Sequence, residues 1–324
     1  MSLAMRHARA IGVAAALVAF QVSFPLSAHA TGEMVYAGFA ETKGITLSGD
    51  TATAKTSDGT VLRLTPATGG DTGSAFASQT VDTNSFSTAF SFRLSDPGGE
   101  ADPNNHVGAD GITFAVQPIS ASLGGCGEGL GIGGVSPSVA VEFDTWDDDC
   151  AEYPDVCDPS SNHIGVDVDG DVHSKKTANV SPAMDNGKIW YAWIDYDGKN
   201  LEVRISQTFD RPDEAQLSYA IDIPTILGTP KAPLAKAFVG FTAGTGAGWQ
   251  NQDILAWNYS TPFVDGGVNS SDAGAALEAK ASIPGSSGCS CSTTGGSSTG
   301  TGALLATVAV AAMRKRRKPA RRRA

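Results

Sequence analysis

Several things are scarce or missing in this chain, and each absence narrows what it can be. No stretch holds the ~20 consecutive apolar residues that a spanning helix needs; the run Ala303–Met313 has 11. No segment between Met34 and about Pro262 carries the 3.6-residue periodicity of a long amphipathic helix, and no internal repeat is present. Basic residues are scarce away from the ends. Residues 31–313 keep 13 Lys and Arg against all 34 Asp and Glu, a balance near −21. A body that acidic repels nucleic acid and anionic membrane surfaces, and divalent cations are its natural counter-ions. Of 5 cysteines, only Cys126, Cys150 and Cys157 lie in the body, so at least one of them has no partner there. Cys150–Cys157 is the first choice for a disulfide, closing a small loop, and Cys126 with either is the alternative.

The two ends read as addresses rather than fold. Arg6 and Arg9 precede an apolar run from Ile11 to Leu26 and the small-residue site Ala28-His29-Ala30. Residues 1–30 are therefore expected to be a secretory signal peptide, removed on export. Residues 263–302 form a Ser/Gly-rich linker containing Gly288-Cys289-Ser290-Cys291. Residues 303–324 add the short apolar run and a basic cluster from Arg314 to Arg323. A basic block can bind nucleic acid, but here it follows an apolar segment on an exported chain and reads as a membrane stop signal. The apolar run spans only if the neutral Ser, Thr and Gly residues before it are drawn in. The order of Cys motif, apolar segment and basic cluster resembles C-terminal sorting tails of the MYXO-CTERM type. That resemblance implies delivery to the cell surface or outer membrane, with membrane contact through the tail alone.

Residues 31–262 alternate almost throughout. In SFSTAFSFRL, Phe86, Phe90, Phe92 and Leu94 fall on one face and Ser85, Ser87, Ser91 and Arg93 on the other, as in a half-buried strand. Similar runs occur at Val61–Thr65, Ile112–Val116, Val139–Trp146, Ile164–Val168, Ile189–Tyr196, Leu201–Ile205, Phe238–Ala243 and Ile254–Tyr259. Asp197-Gly198-Lys199-Asn200 reads as a hairpin turn. Many short strands with Gly, Asp and Asn turns predict an all-β sandwich or jelly roll. Its expected core is Phe86, Phe90, Phe92, Phe114, Val139, Val141, Phe143, Trp193, Phe238, Phe241, Leu255 and Trp257.

Chemistry concentrates in VEFDTWDDDCAEYPDVCDPSSNHIGV, residues 141–166. Val139, Val141 and Phe143 share one strand face; Glu142, Asp144 and Trp146 share the other. Two carboxylates at i and i+2 stand roughly 7 Å apart at Cα and repel unless neutralised. A solvated acidic face is one reading. Another is a metal site: Asp148 lies four residues past Asp144, Asp158 opens a DP turn, and His163 begins the next strand. One imidazole with three carboxylates suits an ion such as Mn²⁺; carboxylates with a carbonyl and waters suit Ca²⁺. A third is a retaining glycosidase with an E-x-D-x-E or E-x-D-x-x-E strand. Glu142 and Asp144 supply its first two members, but Trp146 or Asp147 stands where the last Glu belongs, and no other nucleophile is apparent. An EF-hand-like loop at Asp167–Asp171 fails because Val172 and Ala178 stand where Gly and Glu are needed. The G-x-G-x-x-G at Gly129, Gly131 and Gly134 lacks a helix-opening context and is a chance match.

Taken together, GSAFASQTV, SFSTAFSFRL, ADGITFAVQ, SVAVEFDTW, DPSSNHIGVDV, SKKTANV, VGFTAGTG and QDILAWNYS resemble the legume-type (L-type) lectins over about Phe39–Tyr259. The resemblance implies a concanavalin A-like jelly roll with a Ca²⁺/Mn²⁺ pair beneath a carbohydrate pocket. By motif, Glu142, Asp144, Asp158 and His163 match the transition-metal ligands, and Ser174 would hold a water on that metal. Asp144, Asp158, the carbonyl of Trp146 and the side chain of Asp148 match the calcium ligands, with Asp147 or Asp149 the alternative to Asp148. Asp110 matches the aspartate that accepts sugar hydroxyls, after a cis Ala109–Asp110 bond that the metals hold. Metal and sugar binding would then be one coupled event. A backbone N–H near Gly127 would reach the sugar, Trp146 would stack on its apolar face, and the Thr245–Gly246 turn would read its variable side. The family usually has Asn where Asp148 stands. Asn donates an N–H that Asp cannot, so calcium gains a charge while a sugar hydroxyl loses a partner. The expected function is an exported, surface-directed carbohydrate-binding protein with no catalytic residue. The alternatives are a glycoside hydrolase on the same scaffold, or a surface domain whose metals only stabilise it.

Overall fold

A computed structural model of the chain describes residues 32–123, 129–148 and 158–268. They form two eight-stranded antiparallel sheets. In the back sheet the order is β14 (Leu217–Ala220), β13 (Asn200–Ser206), β12 (Trp190–Tyr196), β7 (Phe86–Gly99), β16 (Gly248–Thr261), β4 (Gly59–Thr65) and β3 (Ala52–Thr56); β1 (Gly32–Tyr36) also pairs with β16. In the front sheet it is β11 (Asp171–Asn179), β10 (His163–Val168), β9 (Val139–Asp144), β8 (Gly111–Gln117), β15 (Lys236–Gly244), β5 (Thr72–Ala77) and β2 (Ile45–Gly49); β6 (Val81–Asp82) pairs with β15. A single short helix, α1 (Ile223–Leu227), is described, and no helix among the described residues is long and apolar enough to cross a membrane.

Alternation along each strand builds the core between the sheets. Phe90, Phe92, Phe114, Phe143, Phe241 and Trp257 meet there, each 1 % exposed or less. Their rings pack edge-on, with centroids 4.9 Å apart for Phe90–Phe241 and 5.0 Å for Phe241–Trp257, the arrangement that ring quadrupoles favour. The expected turn at Asp197–Asn200 joins β12 to β13, and Asp197 Oδ1 accepts the N–H of both Lys199 and Asn200.

Three expected core residues lie outside the cluster between the sheets, although Trp193 and Leu255 are both buried, at 2 % exposed. Trp193 stands between the inward-facing Ala192 and Ile194, so it points out of the back sheet and packs beside Tyr191. Phe238 alternates with the inward Ala237 and Val239 and joins a smaller outer cluster with Phe76, Ala115, Ile132 and Ala140. Leu255 is the extra residue where the pairing of β16 with β7 shifts register between Ile254 and Ala256. That bulge breaks the period of two.

Pairing direction also assembles one end of the sandwich. The ends of β4, β7, β9 and β15 meet the starts of β5, β8, β10 and β16 there. The connections 99–111, 144–163, 65–72 and 244–248 therefore converge on one rim.

The two phenylalanines of β15 test this assignment. Phe241→Ala should lower the unfolding free energy by about 3–5 kcal/mol. Phe238→Ala should cost clearly less, because its ring is only half-buried on the outer face. Urea unfolding of the two variants makes the comparison.

Candidate metal and ligand site

On β9, the parity that sends Val139, Val141 and Phe143 into the core sends Glu142 and Asp144 to the outer face of the front sheet. That face is not solvent. Glu142 is 1 % exposed and Asp144 6 %, and the segment from Leu130 to Val135 packs on the same outer face of the sheet. Ile132 and Val135 pack in the outer cluster, and Thr242 Oγ1 donates to the carbonyl of Leu130 at 2.7 Å. On β10, His163 stands opposite Asp144 and Gly165 opposite Glu142. One ligand atom from each of Glu142, Asp144 and His163 lies within 4.8 Å of the others. The solvated-face reading is thereby excluded.

Each member is held from outside the cluster. The Nδ1 of His163 lies 2.8 Å from the carbonyl of Ser160. A carbonyl only accepts, so Nδ1 carries a proton and Nε2 faces the acids, 3.2 Å from Glu142 Oε1 and 3.6 Å from Asp158 Oδ1. This is the second-shell arrangement that orients an imidazole toward a metal. Asp158 is tied back to Asp148: the Asp148 N–H donates to Asp158 Oδ2 at 2.9 Å, and the Asp158 N–H donates to the Asp148 carbonyl at 3.2 Å. The Trp146 N–H donates to Asp144 Oδ1 at 2.7 Å.

Ser174 Oγ reaches both Glu142 Oε1 (2.7 Å) and Asp167 Oδ1 (2.8 Å). It lies in a stretch of β11 that slips register between the pairs Val166–Lys176 and Val168–Asp171. Its single hydroxyl proton is shared between the two acids. Burial first, and then the charge of Glu142, push the Asp167 carboxyl well above the usual range. Asp167, 2 % exposed, is a member that the sequence reading passed over. Its signal was its shared parity with His163 and Gly165 in HIGVDV. Gly165 is the other such member. A Cβ there would stand 2.0 Å from Ser174 Oγ and 2.1 Å from Glu142 Oε1.

The electrostatics are those of crowded acids out of water. Burial, then Asp158 and Glu142, raise the Asp144 carboxyl well above its ordinary value, and Asp110 adds to the effect. Burial raises Asp158 to about 7, partly offset by the Asp148 N–H and His163. Burial lowers His163, but its hydrogen bond to Glu142 and the two acid charges outweigh that and raise it overall. Among the described residues no lysine or arginine pairs with Glu142 or Asp144. An inward-facing imidazole nitrogen and several carboxylate oxygens, with no basic side chain to neutralise them, fit a divalent cation.

Above this cluster, the Ala109–Asp110 peptide is cis. The Asp110 N–H donates to the Gly244 carbonyl at 3.1 Å, and the Asp110 carbonyl accepts from the Thr145 N–H at 2.9 Å. Gln250 Nε2 donates to Thr145 Oγ1 at 2.8 Å, and Gln252 Nε2 to the carbonyls of Ala109 and Gly244. Residue 110 is thus bound into the strand ends that carry the acids. Trp146 is half-buried, so it is not a core tryptophan. An edge of its indole packs on Gly248, where a Cβ would come within 2.7 Å. Thr245 differs from expectation. It is wholly buried, its hydroxyl donates to the Thr68 carbonyl and accepts from the Asp71 N–H, and it braces the turn that Gly246 continues. Gly127, Cys150, Cys157, Cys126 and Asp149 lie outside the described residues, as do the stretches expected to be a signal peptide and a sorting tail.

The family model for the legume lectin domain matches residues 31–273. The chain belongs to the legume lectin domain family. The bark lectin of Styphnolobium japonicum is 32 % identical over 202 residues, covering 59 % of this chain and 65 % of the relative. The L-type lectin-domain containing receptor kinase VIII.1 of Arabidopsis thaliana is 31 % identical over 55 % of this chain, but the match covers only 24 % of the kinase. The chain thus spans between a quarter and two thirds of these relatives. Among solved structures, basic winged bean lectin with Tn-antigen superposes with a TM-score of 0.54 at 30 % identity, covering 71 % of this chain and 98 % of the other. Winged bean acidic lectin complexed with methyl-α-D-galactose gives 0.57 at 26 %, covering 72 % and 99 %. On this lectin domain Glu142 is not placed as a glycosidase nucleophile. It is buried, with its Oε1 held between Ser174 and His163.

Two outcomes follow for the acid cluster. Gly165→Ala should push Ser174 and Glu142 apart and lower affinity for Mn²⁺ by roughly 10–100-fold, the usual effect of disturbing a metal's outer shell; titration followed by electron paramagnetic resonance reads it. Without cations, Asp144 and Asp158 bind protons more tightly folded than unfolded. Stability should therefore fall as pH rises from the ordinary carboxylate range through about 7, by on the order of 1–3 kcal/mol. Ca²⁺ with Mn²⁺ should raise the melting temperature more at pH 7.5 than at pH 5, which calorimetry with and without EDTA checks.

Proposed function

We propose that this lectin domain is a carbohydrate-binding protein, not an enzyme, whose pocket is organised by a Ca²⁺/Mn²⁺ pair. The observation that carries the reading is the convergence of Glu142, Asp144 and His163, all buried, within 4.8 Å of one another. Glu142, Asp144, Asp158 and His163 would hold the transition metal, with Ser174 near enough to Glu142 to hold a water on it. Asp144, Asp158, the Trp146 carbonyl and Asp148 would hold calcium. The cations would supply fixed positive charge that removes the repulsion among the buried acids and binds their strands and loops into one shape.

The sugar-facing chemistry belongs to the chain. Asp110 accepts hydroxyls while its backbone is pinned to Gly244 and Thr145. The half-buried Trp146 offers an aromatic face, and Gly127, outside the described residues, would add a backbone N–H donor; Thr245 takes part only by bracing the turn from within. Complexes of related lectins support the class of ligand: one from Bauhinia forficata carries GalNAc, and the winged bean acidic lectin carries methyl-α-D-galactose. Export through residues 1–30 and surface delivery by the C-terminal tail complete the proposal. Display in many copies would add avidity to weak single sites.

A glycan array probed with the protein in Ca²⁺ and Mn²⁺, and again in EDTA, tests this. Retention of one or more glycans that EDTA abolishes, and that Asp110→Asn weakens by at least about tenfold, is the expected outcome. An empty array alongside a cation-raised melting temperature would leave a metal-stabilised structural domain, and turnover of aryl glycosides would make it a hydrolase.

A further inference from the structure

The back sheet carries an open cleft of about 400 Å³ on its outer face, within the ~300–1,000 Å³ common for small-molecule sites. The parity that sends Leu62, Phe92 and Ile254 into the core sends Arg63, Arg93 and Asp253 outward. The cleft is therefore on the opposite side of the sandwich from the acid cluster. Two forked ion pairs build it. Arg63 donates through Nε and Nη2 to the two carboxylate oxygens of Asp253, both at 2.8 Å. Arg93 donates through Nε and Nη2 to Asp58 at 2.9 and 2.8 Å, and through Nη1 to the carbonyl of Gly187. The arginine side chains are 25 % exposed. Arg63 Nη1 and the Ser95 hydroxyl, both belonging to residues that line the cleft, have no hydrogen-bond partner among the described residues.

The charge pattern selects the kind of ligand. An anion would have to displace Asp58 or Asp253 from its guanidinium and would meet the carboxylate of Asp96, a third acid lining the cleft whose Oδ2 accepts from Asn251 Nδ2 at 2.7 Å; a cation would have to share Asp96 with the charge of Arg63. A neutral polyol need do neither. Adjacent hydroxyls can accept from the spare guanidinium N–H groups and donate to the remaining carboxylate lone pairs. Each forked pair fixes donors and acceptors before the ligand arrives, which reduces the ordering cost of binding.

We infer that this cleft is a second saccharide site, independent of cations and specific for a neutral sugar residue. Neither the acid cluster nor Asp110 takes part in it. A chain with sites on both outer faces can bridge two glycans without a partner subunit.

Saturation-transfer NMR on the full chain carrying Asp110→Ala, in EDTA, isolates the cleft. The probes are the methyl α-glycosides of D-glucose, D-galactose, D-mannose and N-acetyl-D-glucosamine, with sodium glucuronate as the anionic comparison. At least one neutral glycoside should give transfer, and glucuronate none. Arg93→Lys, which loses the fork, and Ser95→Tyr, which fills the cleft, should each weaken binding at least about tenfold in protein with native circular dichroism. No transfer from any neutral glycoside overturns the inference. So does binding unchanged by whichever of the two substitutions folds, or a preference for glucuronate. Failure of the metal-organised pocket would show separately, as no cation-dependent retention by the unsubstituted chain.

Discussion

Everything at the functional end of this protein depends on mutual repulsion among buried carboxylates. Glu142 and Asp144 project from one strand into a space closed off from solvent. Asp158 and Asp167 approach the same space, and a single imidazole faces them. Such a group of acids is costly to ionise away from water. It must keep protons or take up a cation, and burial together with mutual repulsion pushes the Asp144, Asp158 and Asp167 carboxyls above their ordinary range. A cation taken up there would stabilise the fold and shape its rim together.

The fold supplies the geometry cheaply. A period of two puts aromatic rings between the sheets and acids outside them on the same strand. Antiparallel pairing then sets His163 beside Asp144, and leaves Gly165 beside Glu142 with no side chain to obstruct Ser174. The same register brings Asp110 to the Thr145 end of β9. Asp110 and the acid cluster are consequently two levels of one sheet end, and displacement of one is felt by the other.

Alternation made most of this readable before any coordinates. It marked the strands, the inward Phe143, the outward Glu142 and Asp144, and the hairpin at Asp197–Asn200. Motifs added Asp158, His163, Ser174 and Asp110, whose proximity arises from pairings of strands distant in sequence. Where period two is interrupted, the reading went astray. The β16 bulge displaced Leu255, while Trp193 and Phe238 were sorted by hydrophobicity instead of parity. Thr245 was taken for a pocket wall because its loop was recognisable. Its hydroxyl is instead committed to Thr68 and Asp71, a partnership across more than 170 residues that no local pattern encodes. Asp167 was hidden by the calcium-loop-like run in which it sits.

The central claim is that Glu142, Asp144, Asp158 and His163 surround a cation and do not merely share protons. Crystals grown with Ca²⁺ and Mn²⁺ and measured on both sides of the manganese absorption edge test it most directly. The account predicts an anomalous peak at bonding distance from the carboxylates and from His163 Nε2. Density showing those four side chains joined only by hydrogen bonds, with no peak among them, would contradict it.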